Sequence, residues 1–497
     1  MTRRKRAAAL AVVLGLAGPL FAAPAGADET AKGLTWAACP DDVAVPGGIV
    51  LRCATVPVPL DYRKPEGERI DVMISRLAST KPAARRGVLM LNPGGPGGSG
   101  LSFPADLASH GMPASVLDGY DVIGMDTRGI GHSTPVSCGF TAEQEYMGNI
   151  PPYAVDEAAV AEQAKIAKAV AAQCAANDKG GRLRHISTAN MARDLDRIRA
   201  ALGEEKASFL GYSYGSALGA AYASMFPEKS DRIVLDSNVG DTHLDREGLR
   251  RFGLGAEETF PDFAKWVAAR HESYGLGRTA AEVRRTYFAL AEKLDKAPVN
   301  GLDGRLFRLA TFAGLYGKTR YGQTAQWWQS VRDGDKAAAA RVAAEAKRLS
   351  PAAAPSPADN PWSVFLAVTC NDVAWPSDVR TYQRGVAEDR ERYPLYGAAG
   401  ANIVPCAYWP YTPSEPPVAV EGKGPENVLV VQNRRDPVTP LRGGQLIDEK
   451  FGARSRLVTV DASGHGVYVL GGNACALNTT TNFLMSGKLP KRDVSCS

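Results

Sequence analysis

Metal-binding spacings are missing from this sequence. It contains no Cys-x-x-Cys, no His-Glu-x-x-His and only six histidines in 497 residues, so a zinc site has no motif to rest on and no cofactor is expected. A surplus of one charge sign is missing too. The formal net charge is +5, and Arg3, Arg4, Lys5 and Arg6 supply four of those charges. Without the first 27 residues, which carry no acid, the chain stands at about +1. That balance gives no electrostatic basis for nucleic acid or an anionic membrane as a partner. Beyond the N-terminus no apolar run is long enough to span a bilayer, so no stable membrane association is expected. No internal repeat is evident.

What is present begins with a leader. The basic residues 3–6 precede an apolar run from Ala7 to about Ala23 that is short and interrupted by Gly15, Gly18 and Pro19. Ala25-Gly26-Ala27 offers the small residues that signal peptidase requires, so residues 1–27 read as a signal peptide, with Ala23 as the second choice for cleavage. No Cys follows the apolar run, which argues against a lipid anchor at this point. The expected destination is extracellular. Eight cysteines follow: Cys39, Cys53, Cys138, Cys174, Cys370, Cys406, Cys475 and Cys496. In an exported chain an even count reads as disulfides. Eight residues allow 105 connectivities, among which pairing of neighbours in sequence is favoured.

Strand-like and helix-like signals alternate in the first half of the chain. Gly87–Asn92, Tyr120–Asp126, Ala207–Leu210 and Arg232–Asp236 are short apolar runs, and a helix is expected from about Ala189 to Leu202 with Thr188 as its N-cap. Such alternation predicts an α/β protein with a mostly parallel sheet flanked by helices. From about Asp241 to Pro425 strand signals thin out and amphipathic helical stretches dominate, with Ser350–Pro361 reading as a loop. Strand signals return at Val428–Gln432 and Arg456–Val460. The division expected is therefore a core in two parts, residues 28–240 and 426–497, interrupted by a large helical lid, residues 241–425.

Gly211-Tyr212-Ser213-Tyr214-Gly215 follows an apolar strand and opens a helical run. This is the context of a nucleophile elbow, in which a tight turn projects a serine from the end of the sheet. A serine needs a base, and the base needs an orienting acid. Of the histidines, His110, His132, His185, His243 and His271 have no comparable setting, whereas His465 lies between glycines after a late strand. Asp436 follows Val428–Gln432, which completes the chain order Ser213, Asp436, His465 of the α/β-hydrolase fold. An acyl-transfer intermediate also needs backbone N–H donors for its oxyanion. Tyr214 and either Gly94 or Gly95, in a glycine cluster at 94–100, are the candidates. The cluster is not followed by Lys-Ser/Thr, which argues against a phosphate-binding loop.

At these residues the sequence resembles a known family. Asn92-Pro93-Gly94-Gly95-Pro96-Gly97-Gly98-Ser99-Gly100, Asp126-Thr127-Arg128-Gly129-Ile130-Gly131-His132-Ser133 and the Ser213, Asp436 and His465 segments look like the secreted bacterial tripeptidyl aminopeptidases, in the prolyl-aminopeptidase branch of the α/β-hydrolases. The resemblance extends from about Leu34 to Cys496 and includes Cys370-Asn371-Asp372, Trp375 and Pro405-Cys406-Ala407-Tyr408-Trp409. It implies a serine exopeptidase acting on peptide substrates with free N-termini and releasing short peptides or single residues such as proline. Close tripeptidyl aminopeptidases often carry Glu before the Cys-x-Asp segment, where this chain has Thr369, so the length of the released fragment stays open. Glu257, Glu258 and Asp372 are the acids that stand as candidates for the substrate amine. An esterase or lipase is the alternative, and a non-catalytic binding protein on the same fold a more distant one.

Overall fold

The structure, a computed structural model, describes residues 33–141, 144, 146, 151–347 and 357–497; the expected signal peptide lies outside them. Ten strands form a single sheet: β1 (Ala37–Ala38), β2 (Arg52–Pro59), β3 (Arg69–Leu77), β4 (Gly87–Asn92), β5 (Tyr120–Met125), β6 (Ala207–Tyr212), β7 (Ser230–Asp236), β8 (Val428–Arg435), β9 (Ser455–Ser463) and β10 (Val494–Cys496). Their spatial order is β1-β2-β3-β5-β4-β6-β7-β8-β9-β10. The pairs from β5 through β10 are parallel, and β1 to β3 add an antiparallel edge. This is the α/β-hydrolase fold that the alternating pattern predicts.

The register explains why the central strands are apolar at every position. Leu91 pairs with Leu210, Leu210 with Val234 and Val234 with Leu429. These residues form one buried face with Val116, Phe483 and Leu484 of the flanking helices. Their neighbours in sequence, Met90, Phe209, Ile233, Leu235 and Val430, fill the opposite face with Leu195, Ile198, Ala217 and Leu218. A strand buried on both faces has no polar side to show.

Among the described residues, every regular element between β7 and β8 is helical apart from an isolated bridge between Val299 and Leu302. The helices Arg246–Ala268, Ala280–Lys296, Gly304–Gly314 and Tyr321–Arg332 meet around Trp328. Its ring lies 5.2 Å from that of Phe263, 5.5 Å from Tyr287 and 5.7 Å from Phe307, and its indole N–H donates to Thr311 Oγ1 at 3.0 Å. Phe260 adds a fourth ring at 6.1 Å, and this aromatic group is continuous with the core on one face of the sheet; Leu34–Ser497 forms one compact unit.

Two local details differ from the sequence reading. Ser187, not Thr188, caps the helix Thr188–Ala201, its side chain accepting from the Asn190 amide; Thr188 is the first helical residue. The helix Asn360–Asp372 starts inside the stretch read as a loop, with Pro361 in its first turn, a position where the missing N–H is harmless. The disulfides are Cys39–Cys53, Cys138–Cys174, Cys370–Cys406 and Cys475–Cys496, and no cysteine is free. No helix among the described residues is long and apolar enough to cross a membrane.

Candidate active site

β6 ends at Tyr212, and the helix Tyr214–Met225 starts two residues later. The residue between them, Ser213, is held at φ 58° and ψ −123°. A non-glycine residue at such a φ is strained, and strain of this kind concentrates at functional turns. The turn closes so tightly that a Cβ on Gly211 would stand 2.1 Å from the Gly215 carbonyl oxygen, which accounts for glycine at that position. The Ser213 amide donates to the Asp236 carbonyl at 3.0 Å, which ties the turn to β7. Ser213 thus stands at the C-terminal end of the parallel strands and beside a helix N-terminus that favours negative charge.

Asp436 follows β8 and is fully buried. Its Oδ1 accepts from the Val438 and Thr439 amides, both at 2.9 Å, and its Oδ2 accepts from Thr439 Oγ1 at 2.8 Å. His465 Nδ1 lies 2.9 Å from Oδ2 and 3.1 Å from Oδ1. With Nδ1 engaged there, Nε2 is the nitrogen left for a reacting group. The loop carrying His465 is gripped from two sides. Asn433 Nδ2 donates to the carbonyls of Gly464 and Gly466, and the His465 amide donates to the Tyr316 carbonyl at 2.8 Å. Burial pulls the His465 pKa down, but the charge and hydrogen bond of Asp436, aided by the charge of Asp236, outweigh it and leave the group above its ordinary value.

Ser213 and His465 face one cavity of about 240 Å³. Pro93, Gly95, Tyr214 and Thr439 line it near the serine, and Val239, Leu244 and Val438 extend the wall. Phe252, Tyr316 and Phe365, from the helical region, complete it. Of the two loop glycines, Gly94 already donates its N–H to Asn92 Oδ1 at 2.9 Å, while Gly95 lines the cavity. Asp126 steadies this loop, accepting from Ser99 Oγ, the Gly100 amide and the His132 amide. The His132 ring itself turns to Asp42 at 3.1 Å, away from the cavity lining.

None of the three acids named for the substrate amine lies on that lining. Glu257 is paired with Arg284 at 2.9 Å and accepts from the Leu395 amide. Asp372 is buried and accepts from the Thr188 amide at 2.8 Å and Thr188 Oγ1 at 2.5 Å; burial pushes it up to about 7 against those bonds. Thr188 Oγ1 also lies 2.5 Å from the Tyr214 hydroxyl, which links Asp372 to the residue after Ser213. Glu258 is half-buried, one of its carboxylate oxygens is enclosed with no hydrogen-bond partner, and burial raises its pKa. Thr369 is buried with its hydroxyl unpartnered.

Sequence reading did not find Thr439, Asn433 or Tyr316. A threonine three residues after an aspartate is the ordinary composition of an Asx-type turn, and that was the available signal for Thr439. Tyr316 acts through its main chain, for which composition has no signal at all.

A family model described as "TAP-like protein" matches residues 393–496. The tripeptidyl aminopeptidase of Streptomyces lividans is 37% identical over 96% of this chain and 89% of its own length. Serine protease Hip1 of Mycobacterium tuberculosis is 30% identical over 91% of this chain and 88% of its own. Carboxylesterase B of the same organism is 30% identical, covering 95% of this chain and 91% of its own.

Proposed function

The chain belongs to the tripeptidyl aminopeptidase family of α/β-hydrolases, and from that premise we propose that it is an exported serine exopeptidase that cleaves peptides near a free N-terminus. The observation that carries the mechanism is the shared cavity of a strained Ser213 and a His465 whose other nitrogen is held by buried Asp436. Ser213 Oγ attacks the scissile carbonyl as its proton passes to His465 Nε2. The oxyanion is met by the Tyr214 and Gly95 amides, Gly94 having its own amide engaged by Asn92. His465 then protonates the departing amine, and water hydrolyses the acyl-enzyme by the same relay. Asp436 keeps the imidazole oriented and balances its charge.

The helical region, residues 241–425, acts in this reading as the lid that confines cleavage to one end of a peptide. Phe252, Tyr316 and Phe365 on the cavity wall support that role. A buried ammonium without a partner would be costly, so an acid is required near the cleft. Glu258 is favoured over Glu257 and Asp372 because it alone of the three keeps an unpartnered carboxylate oxygen. Export rests on the leader at 1–27 and on four disulfides; protein recovered from culture medium should begin at Asp28.

A second reading, an esterase, is favoured by one observation: no acidic side chain lines the cavity. A panel of aminoacyl, dipeptidyl and tripeptidyl anilides with free and acetylated N-termini, run beside short-chain esters, decides between them. Faster hydrolysis of free-amine anilides supports the exopeptidase. Equal rates on acetylated substrates, or turnover of esters alone, would replace it with the esterase.

A further inference from the structure

Asp436 is one of two fully buried carboxylates beside His465. The other is Asp236, the last residue of β7 and the neighbour of the Asp436 strand in the sheet. Its Oδ1 accepts from Ser237 Oγ at 2.9 Å and from the Val467 amide at 3.0 Å, and its Oδ2 accepts from the Tyr468 amide at 2.7 Å. Ser237 in turn accepts from the Gly466 amide at 2.9 Å. Three consecutive amides after His465 are therefore held by one two-residue unit, and the main-chain carbonyl of that unit holds the Ser213 amide. Ser237 sits at φ 56°, an unfavourable conformation for a residue with a Cβ that persists only where the surroundings demand it.

Every group facing the Asp236 carboxylate is a donor. A proton or an amide NH₂ placed there would meet N–H hydrogens, so the cradle suits the charged form. Burial raises the group, and these donors and the positive form of His465 pull it back only as far as about 7, so the carboxylate is charged above that pH. The groups facing His465 are Asp436, Asp236, Thr439, Ser213 and the Tyr316 ring at 5.5 Å. The phenol of Tyr212, which feels the Asp236 charge, and that of Tyr468 next to it are both raised by burial, the latter to about 12, so they stay neutral wherever His465 titrates.

We propose that Asp236 is a second positioning carboxylate of the site: with Ser237 it anchors the His465 loop to the nucleophile turn, and its charge favours the imidazolium formed during acyl transfer. The inference rests on Ser213, His465 and Asp436 acting as proposed above. It does not depend on whether the substrate is a peptide or an ester.

The test is Asp236→Asn and Ser237→Ala in the mature protein, followed by the rate of fluorophosphonate labelling and by kcat/KM on whichever anilide or ester is turned over, from pH 5 to 9, with Tm measured alongside. Asp236→Asn should lose about 10- to 100-fold in rate, the scale of a charge-assisted contact to a catalytic element. Its acid limb should move to lower pH, because the imidazolium loses a nearby negative charge. Ser237→Ala keeps the charge, so it should lose about 3- to 10-fold, the scale of one neutral hydrogen bond, with the limb in place. A folded Asp236→Asn protein with wild-type rate and limb overturns the proposal. If Asp236→Asn does not fold, Ser237→Ala decides, and wild-type rates there overturn it. Wild-type protein that the probe fails to label would remove the triad reading itself, whereas labelled wild type with unaffected variants removes only this inference.

Discussion

At the ends of β6, β8 and β9 the charged and reactive groups face one another; on the helices between β7 and β8 acids such as Glu257, Asp262 and Asp372 are taken up in structural pairs, away from the cavity lining. Ser213, Asp436 and His465 are each within two residues of a strand end, and the sheet register brings those ends together. Glu257 instead meets Arg284, and Asp372 meets Thr188. The two regions also differ in how they are held. The strand-end loops are fixed through their own main chain, by the Ser213 amide on Asp236 and the His465 amide on Tyr316 and by the side chains of Asn433, Asp236 and Ser237 that grip residues 464–468. The helices are held by side chains, through the Trp328 aromatic cluster and the pairing of Arg435 with Asp262 at 2.6 Å. The reaction centre draws mainly on the strand ends, while the helical region supplies much of the cavity wall. That difference is consistent with one fold carrying relatives named as a peptidase and as an esterase.

The sharpest way to break the comparison is at the strand ends. Ser213→Ala should lower kcat/KM by about 10⁴-fold or more, with the fold intact by circular dichroism. Asp436→Asn and His465→Ala should also be severely impaired. Each combined with Ser213→Ala should add little, since the three act as a unit; substantial residual turnover in purified Ser213→Ala would end the assignment. On the helices the expected effects are smaller and selective. Glu258→Gln should raise KM for free-amine peptides by about 10-fold or more, the scale of one charge-assisted contact, and leave N-acetylated substrates unchanged. Glu257→Gln and Asp372→Asn should alter stability more than KM. If Glu257→Gln alone shows the free-amine effect, the choice among the acids was wrong.

Two pH measurements sharpen the contrast further. In the proposed mechanism the base is neutral His465, whose pKa lies above the ordinary value. Activity should therefore fall as pH drops, through a midpoint above ~6.5, the ordinary histidine value. A midpoint below that value would show that burial, not the Asp436 charge, dominates. For Asp372, the folded pKa of about 7 exceeds the ordinary carboxylate value of 3.8. Between these values the folded state binds more protons, so this group contributes stability that is lost as pH rises toward 7. Asp372→Asn should flatten that part of a Tm-against-pH curve. An unchanged slope would mean that the Thr188 bonds, not burial, set its titration.

Legibility in the sequence followed the same division. The central strands were readable because burial on both faces leaves an unbroken apolar run, as in Val88–Leu91. β2 and β3 were not: β2 carries Pro57 and Pro59, and β3 is broken by Asp71 and Arg76. Proline and charge belong on antiparallel edge strands, but in a bare sequence they erase the strand signal. The Thr188 cap was misplaced by one residue because Ser187 and Thr188 are equally good caps, and only the distant Asp372 claims the threonine.

Local runs of residues carry the parallel α/β pattern and the strand-turn-helix setting of Ser213, and the order of Ser213, Asp436 and His465 is written in the chain directly. It takes the folded chain to show that Asn92 engages Gly94 and leaves Gly95 on the cavity, that Glu258 keeps an unpartnered oxygen while Glu257 and Asp372 do not, and that Asp236 binds the loop after His465. A hydrogen-bonding group has many possible partners along a chain. Which one it takes depends on what the fold brings within about 3 Å, and that proximity is written in no local run of residues.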